Sequence, residues 1–269
     1  MKNVFGAALL VAAFQFTGAV PCAAAGPGVN LTIEKMFGFG AHYLVNGSEV
    51  NLDIQNNSFQ NDPFARYSIT GSMFGRQLGV NNAISNDNFG GAASVIIDAD
   101  GVYAKFSKQP GWPELRVETR LAANADPRAV VLLSVLANYL PPIPGASSPG
   151  GSQPTQSYSF RQFGDSVLVE GAGLSNLRVE RTQSGQGCRY TVRGSGFGRN
   201  FDSDRLELEL DNVFLGAGGT SIRGAGMALE IKREDFGGPR LSVRGIAGDS
   251  GPLAAFSLAL ARHLNGANY

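Results

Sequence analysis

The sequence predicts an α+β fold, mostly β, in which an antiparallel β-meander unit closed by one C-terminal α-helix occurs twice in tandem. Three observations lead to this prediction. The 36 glycines and 13 prolines among 269 residues favour short strands joined by many turns. Several stretches alternate apolar and polar residues with period two, which is typical of half-buried strands. A segment near residue 66 also returns near residue 189.

The N-terminus has the pattern of a secretory signal peptide over residues 1–25. Lys2 precedes an apolar run from Val4 to Phe16, and an A-x-A cleavage site ends at Ala25. A lipoprotein would instead be acylated at Cys22, but the proline directly before it fits that alternative poorly. The run is shorter than the roughly 20 residues of a membrane span, as is the later apolar run 129–140. We therefore expect a periplasmic or secreted protein with no transmembrane span.

The internal repeat covers most of the remaining chain. Residues 66–76 (Arg-Tyr-Ser-Ile-Thr-Gly-Ser-Met-Phe-Gly-Arg) match residues 189–199 (Arg-Tyr-Thr-Val-Arg-Gly-Ser-Gly-Phe-Gly-Arg). Further matches follow in the same order at nearly the same offset: 51–55 with 176–180, 113–117 with 239–243, and 136–140 with 260–264. We interpret them as a tandem duplication with copies at 29–140 and 157–264.

A Pro/Gly/Ser-rich linker at residues 141–156 separates the two copies. Each copy is large enough to bury a core of its own. The sequence leaves open whether the copies form two domains or one continuous sheet.

Each copy begins with predicted strands, such as Val50-Asn51-Leu52-Asp53-Ile54 and Leu206-Glu207-Leu208-Glu209-Leu210. One apolar and one polar face per strand indicates an antiparallel sheet with one side covered. Asn46-Gly47 and Asp100-Gly101 are hairpin signals, because both members of each pair accept a positive φ.

Each copy ends in a predicted helix, at residues 127–140 and 252–264. Asp126 followed by Pro127 is an N-cap signal for the first. The second carries one apolar stripe of Leu253, Phe256, Leu260 and Leu264. The first is apolar on nearly every side, so it needs cover from its sheet and from either the other copy or an apolar ligand.

Composition and motifs exclude several functions. The 22 basic and 22 acidic residues are evenly spread, so we expect no nucleic-acid partner. No cofactor motif or metal site is predicted, and the aspartates at 98, 100, 202 and 204 are interpreted as turn residues rather than calcium ligands. With two histidines and no nucleophile elbow, we expect no enzyme. Cys188, the single cysteine after cleavage, is expected to be a buried, inert thiol.

The remaining interpretation is an exported non-enzymatic protein that binds an apolar or amphipathic, lipid-like ligand between sheet and helix. The apolar lining expected from the two helices is Val131, Leu132, Val135, Leu136, Tyr139, Phe256 and Leu260. Arg66 and Arg189 open the repeated segment and would receive an anionic headgroup. Alternatively, this segment is a strand running into a glycine bend, with its Tyr and Ile/Val in the core.

Two other functions stay open. The first is a structural or interaction module with a cell-envelope protein partner and no ligand, in which the first helix packs on the second copy. The second is a secreted hydrolase that uses His42 or His263. The chain resembles envelope lipid carriers at the level of fold alone, in its predicted export, its duplication and a helix that lies on a curved sheet.

Overall fold

The computed structural model describes residues 28–36, 41–57, 66–79, 81–89, 92–108, 114–141, 143, 156–184, 187–211, 218–234, 240–248 and 251–264. The predicted signal peptide and most of the predicted linker lie outside these residues. The described part is mostly β, as expected, with two helices.

The first half of the chain supplies nine strands and one helix. These are β1 (Gly28–Lys35), β2 (His42–Gly47), β3 (Val50–Asn56), β4 (Tyr67–Met73), β5 (Arg76–Leu78), β6 (Ala83–Phe89), β7 (Ala92–Ala99), β8 (Val102–Lys108), β9 (Glu114–Leu121) and α1 (Pro127–Tyr139).

The second half supplies the same order of elements. These are β10 (Gln156–Phe163), β11 (Ser166–Gly171), β12 (Ser175–Ser184), β13 (Gly187–Gly196), β14 (Arg199–Asn200), β15 (Leu206–Asp211), β16 (Gly218–Gly224), β17 (Met227–Glu234), β18 (Arg240–Ile246) and α2 (Gly251–Leu264).

All strand pairs are antiparallel, and they close one barrel. Apart from β5 and β14, each strand pairs with the next one in the wall, and β1 also pairs with β18 in a register that sets Leu31 opposite Val243. The short β5 and β14 extend the turns after β4 and β13, which pair onward with β6 and β15, so sixteen strands form the wall. Pairing of β9 with β10 joins the two halves. The question that the sequence left open is thereby answered: the halves form one continuous sheet.

The wall has an apolar inner face and a polar outer face, as period-two alternation requires. In β3, Val50, Leu52 and Ile54 are buried, whereas Asn51 is exposed. In β15, Leu206, Leu208 and Leu210 are buried and face inward. The outer face carries cross-strand ion pairs, such as Arg189 with Glu209.

Both helices lie inside the barrel, which is why they are buried on all sides. They contact each other, α1 also contacts β6 and β7, and α2 contacts β9. Each helix starts at the barrel end that carries Phe74 and Phe197, which we call the Phe74 end. Each runs toward the opposite end, which carries Tyr43 and which we call the Tyr43 end. The two helices are therefore parallel.

Several local expectations can now be compared with the structure. Asp126 is the N-cap of α1, since its carboxylate accepts a hydrogen bond of 2.9 Å from the Arg128 amide, and Pro127 opens the helix. Asp100 and Gly101 form the predicted turn with φ of 50° and 73°. The prediction at Asn46-Gly47 is wrong: both residues lie in β2, and the turn comes two residues later.

The predicted single stripe on α2 is too narrow. Its other faces are also buried, because they carry small residues, including Ala254, Ala255 and Ala259, that fit the enclosed interior. The prediction for Cys188 is wrong as well: the residue is only partly buried, and its Sγ lies 2.9 Å from an Nη of Arg181.

Candidate functional site: the helix-filled interior of the barrel

The interior is apolar along the wall and along both helices. Because α1 and α2 contact each other, it is one space shared by both halves of the chain. Four of the five buried polar or charged residues in the described part are short (Ser85, Thr119, Ser134 and Ser257), and the fifth is Asn57. The hydroxyl of Ser257 donates to the carbonyl of Leu253 one turn back, so it satisfies its hydrogen bond within α2.

The structure brings the predicted lining residues of the two helices into this interior. Six of them are exposed by no more than 3%: Val131, Leu132, Val135, Leu136, Phe256 and Leu260. Tyr139 is partly buried at the end of α1. So low an exposure means that these side chains pack directly on other protein atoms.

The two predicted arginines are not brought together. Arg66 lies at the Tyr43 end, where its amide donates to Oδ1 of Asn57 at 3.0 Å and its Nε is buried. Arg189 faces outward, with its side chain 44% exposed and 3.5 Å from Glu209. They therefore do not form one anion site. The alternative interpretation describes the repeated segment better, since Tyr67, Ile69, Tyr190 and Val192 are all buried.

Three tyrosines meet inside the Tyr43 end. The Tyr43 ring lies edge-on to Tyr67 at 6.2 Å and to Tyr139 at 5.7 Å, and the Tyr67 hydroxyl donates to the Pro141 carbonyl at 2.9 Å. Burial, and then the neighbouring Tyr139, raise the pKa of Tyr43 to about 12. Burial, and then Tyr43, also raise the pKa of Tyr67. Tyr43 and Tyr67 therefore stay uncharged at neutral pH.

A second aromatic cluster lies in the other half. Phe256 of α2 is 5.0 Å from Phe197, 5.6 Å from Phe160 and 5.8 Å from Tyr158, and His263 stacks on Phe160 at 5.6 Å. Among the described residues, the Tyr158 hydroxyl has no hydrogen-bond partner, although the residue is only 4% exposed. Burial raises the pKa of this hydroxyl, so it remains a hydrogen-bond donor.

Sequence reasoning missed Tyr158. Tyr158 and Phe160 alternate with polar residues in β10, which identifies them as inward-facing. That pattern was available from the sequence. The missing partner of the hydroxyl, in contrast, depends on the packing of α2 and the turn at Phe197.

Of the four aspartates interpreted as turn residues, Asp98 lies in β7, so the interpretation is wrong for it, and two of the others are paired with arginines of the repeated segment. Arg76 donates to Asp100 at 2.8 Å, and Arg199 donates to Asp204 at 2.6 Å. Within the described part of the chain, no group of three or more potential ligands could hold a metal ion.

The two histidines lie on opposite sides of the wall. His42 faces outward, with Nε2 3.1 Å from Oδ1 of Asp53, whereas His263 lies inside against Phe160. The two histidines therefore do not share a site.

Of the described helices, none has the length and apolarity needed to cross a membrane.

A shallow polar groove lies outside, where β9 meets β10. It has a volume of about 250 Å³ and is lined by Glu114, Arg116, Glu118, Ser157, Ser159 and Glu170, together with Tyr158. Its carboxylates are partly neutralised, since Glu114 lies 3.2 Å from Arg116 and 3.6 Å from Arg161.

No family model, no curated protein and no solved structure matches this chain.

Proposed function

We propose that this chain is a non-enzymatic, exported protein that binds an apolar or amphipathic, lipid-like ligand inside the barrel, between the wall and the helices. One observation carries the proposal: sixteen strands and two helices enclose a single, continuous apolar interior. A closed barrel of this kind is compatible with lipid binding. An acyl chain binds favourably where water is excluded, and such an interior excludes water.

We also infer that the two halves arose by tandem duplication. Supporting this, Phe74 and Phe197 hold the same unusual positive φ, 49° and 56°, each after a buried β-strand. Each is followed by a glycine and by an arginine paired with an aspartate. A duplicated half-barrel explains why the two helices run parallel inside one shared space.

Ligand entry must replace contacts that the helices make. The lining residues on α1 and α2 are almost unexposed, so a bound acyl chain takes up space that side chains or a helix fill here. We therefore expect one or both helices to shift on binding.

Native mass spectrometry tests the proposal. Protein isolated from its source is measured intact and again after organic extraction, and is then offered a total lipid extract. A stoichiometric adduct that extraction removes and the extract restores is the expected result. A clean apo mass in all three samples would show that the interior holds no ligand.

A matched pair of variants connects binding to the interior. Leu260→Ala opens a cavity on α2 at the predicted lining, and Arg189→Ala changes only the outer wall. We expect Leu260→Ala to alter lipid uptake and to lower stability by about 2–5 kcal/mol. Arg189→Ala should change neither uptake nor, by more than about 0.5 kcal/mol, stability. Equal lipid uptake by both variants would argue against an interior site.

The second candidate is a structural or interaction module without a ligand. The low exposure of the lining residues and the direct contact between α1 and α2 favour it. It predicts that Leu260→Ala loses stability as above while lipid uptake is absent in every variant. Protein partners bound to the outer wall would then be sought by crosslinking.

A further inference from the structure

We propose that the aromatic cluster of the second half is a recognition site for the polar end of the ligand, in which the Tyr158 hydroxyl donates a hydrogen bond to a neutral oxygen acceptor such as the ester carbonyl of an acyl lipid. The inference rests on the proposed function and deepens it. The site comprises Tyr158, Phe160, Phe197 and Phe256.

The Tyr158 hydroxyl is the first reason for this assignment. It is buried, points into the apolar interior and has no partner among the described residues. Burying a hydroxyl without a hydrogen bond is unfavourable, so a fold that needed only apolar packing would do better with phenylalanine. A ligand acceptor would satisfy this donor.

The first half of the barrel shows that the fold does not need the hydroxyl. Tyr158 stands opposite Gly171, and Leu31 stands in the same way opposite Gly47. A Cβ at either glycine would lie 2.8 Å from the Cβ of its partner, so the two positions are alike in their packing. An aliphatic side chain fills this position in one half, and only the other half carries a hydrogen-bond donor.

The residues around this position also differ between the halves. When Leu136 is aligned with Leu260, Leu132 corresponds to Phe256 and Arg128 to Pro252. In the first half, Arg128 covers the Phe74 ring at 4.3 Å and forms ion pairs with Asp126 and Glu49.

In the second half, a proline takes the place of that cation, and Phe197 lies on aromatic rings instead. Phe197 and its neighbour Leu174 are only partly buried, whereas Phe160 and Phe256 are fully buried. Beside Tyr158, the Phe74 end is therefore covered by partly exposed apolar side chains, and among the described residues no cation lies over the Phe197 ring as Arg128 lies over Phe74.

The surroundings also select the chemistry of the ligand. Among the described residues, the ring contacts of Tyr158 are all to phenylalanines, so a charged headgroup would lose its hydration there without gaining a counter-ion from these rings. A neutral acceptor on an apolar chain fits this cluster. A fully hydrocarbon ligand would leave the hydroxyl unsatisfied.

The test compares two probes with the same number of carbon atoms: methyl decanoate, an ester that carries an acceptor, and undecane, a hydrocarbon without one. Each displaces N-phenyl-1-naphthylamine from the wild-type protein, Tyr158→Phe and the control Tyr103→Phe. Tyr103 lies on the outer face of the wall, where Arg120 covers its ring at 5.5 Å. Melting temperatures without ligand are recorded for all three proteins.

Relative to Tyr158→Phe, we expect the ratio of ester affinity to hydrocarbon affinity to be about 2- to 10-fold higher in the wild-type protein and in Tyr103→Phe, the range of one neutral hydrogen bond. Tyr158→Phe should melt no lower than the wild-type protein, because it removes an unsatisfied donor. If Tyr158→Phe is poorly folded, Tyr158→Leu, which installs the residue type of the first half, replaces it.

Two results would overturn the inference and are distinguishable from each other. A ratio of ester affinity to hydrocarbon affinity that is the same in Tyr158→Phe as in the wild-type protein excludes this site while leaving interior lipid binding intact. Failure of the wild-type protein to bind the dye or either probe overturns the proposed function, and the inference with it.

Discussion

The guanidinium of Arg128 lies 4.3 Å from the centre of the Phe74 ring, and this contact joins the first turn of α1 to the Phe74 end of the barrel. The same guanidinium donates to Asp126 at 2.7 Å and to Glu49. Phe74 and Glu49 both lie in tight turns with positive φ. One side chain therefore holds two turns of the wall and the N-cap of an interior helix in fixed relation.

Replacing Arg128 by methionine should destabilise the protein by about 1–2 kcal/mol. Methionine keeps an apolar side chain but removes the cation–π contact and both ion pairs. The Arg128 side chain that makes these contacts is only 19% exposed. Urea denaturation measures the loss. Arg116→Met is the matched control, since Arg116 is 66% exposed beside Glu114, and it should cost less than about 0.5 kcal/mol.

A double-mutant cycle isolates the ring contact. Phe74→Leu keeps apolar volume but removes the π face, so combining it with Arg128→Met should give a coupling of about 0.5–1 kcal/mol. Strict additivity of the two changes would show that the ion pairs alone hold Arg128.

The N-cap of α1 should make stability depend on acidic pH. Burial alone would raise the pKa of Asp126, but the hydrogen bonds and the charge of Arg128 lower it overall. A carboxyl with a lowered pKa in the folded state contributes stability above its unfolded value near 4. That contribution is lost as pH falls from there through the folded pKa.

Asp126→Asn tests this dependence, because asparagine can still cap the helix. We expect its free energy of unfolding to fall less between pH 5 and pH 3 than that of the wild-type protein. Parallel curves for the two proteins over this range would mean that the Asp126 charge does not contribute.

The repeated segment contains two kinds of glycine, and substitution should separate them. Gly71 has φ +120°, and a Cβ there would lie 2.2 Å from the Asn51 carbonyl oxygen. Gly75 has φ +81° but open space around it. Gly71→Ala should therefore cost more than about 3 kcal/mol, and Gly75→Ala about 1–2 kcal/mol.

The second half repeats this experiment. Gly194 has φ +92° with a Cβ position 2.3 Å from the Asn176 oxygen, and Gly198 lies in open space. Chemical denaturation should rank Gly194→Ala well below Gly198→Ala in stability. A reversed ranking in either half would contradict the account of the repeat as a strand that bends against its neighbour.

How much of this fold could be predicted follows from the range of the interactions. Strand alternation and the start of α1 at Asp126 depend on neighbours a few residues apart, and both were predictable. Closure depends on the pairing of β1 with β18 and of β9 with β10, which no local pattern encodes. The burial of α2 was underestimated because alanines are compatible with either environment until the barrel encloses them.

The same distinction holds for the candidate site. The apolar character of α1 on all sides predicted that it needs a second covering surface, and α2 supplies one. The expectation that Arg66 and Arg189 receive an anionic headgroup came from their positions in the repeated segment alone. Where each side chain points depends on the wall around it, and Arg189 faces outward.

The tyrosine cluster at the Tyr43 end should make the barrel unstable at alkaline pH. The pKa of Tyr43 is raised to about 12 by burial and then by Tyr139, whereas a tyrosine in the unfolded chain ionises near 10. A raised pKa leaves stability unchanged below pH 10 and reduces it as pH rises toward 12, because only the unfolded chain ionises in this range. Between pH 10 and the raised pKa, each such tyrosine lowers the free energy of unfolding by about 1.4 kcal/mol per pH unit.

Tyr43→Phe removes one of these ionisations without removing the aromatic ring, and within the described part of the chain the Tyr43 hydroxyl makes no hydrogen bond. The difference in unfolding free energy between Tyr43→Phe and the wild-type protein should therefore shift in favour of the variant by about 1 kcal/mol between pH 9 and pH 11. Urea denaturation at the two pH values measures this shift, and the pH 9 value is the control for any effect on packing. A difference that is the same at both values would show that Tyr43 ionises as freely in the barrel as in the unfolded chain.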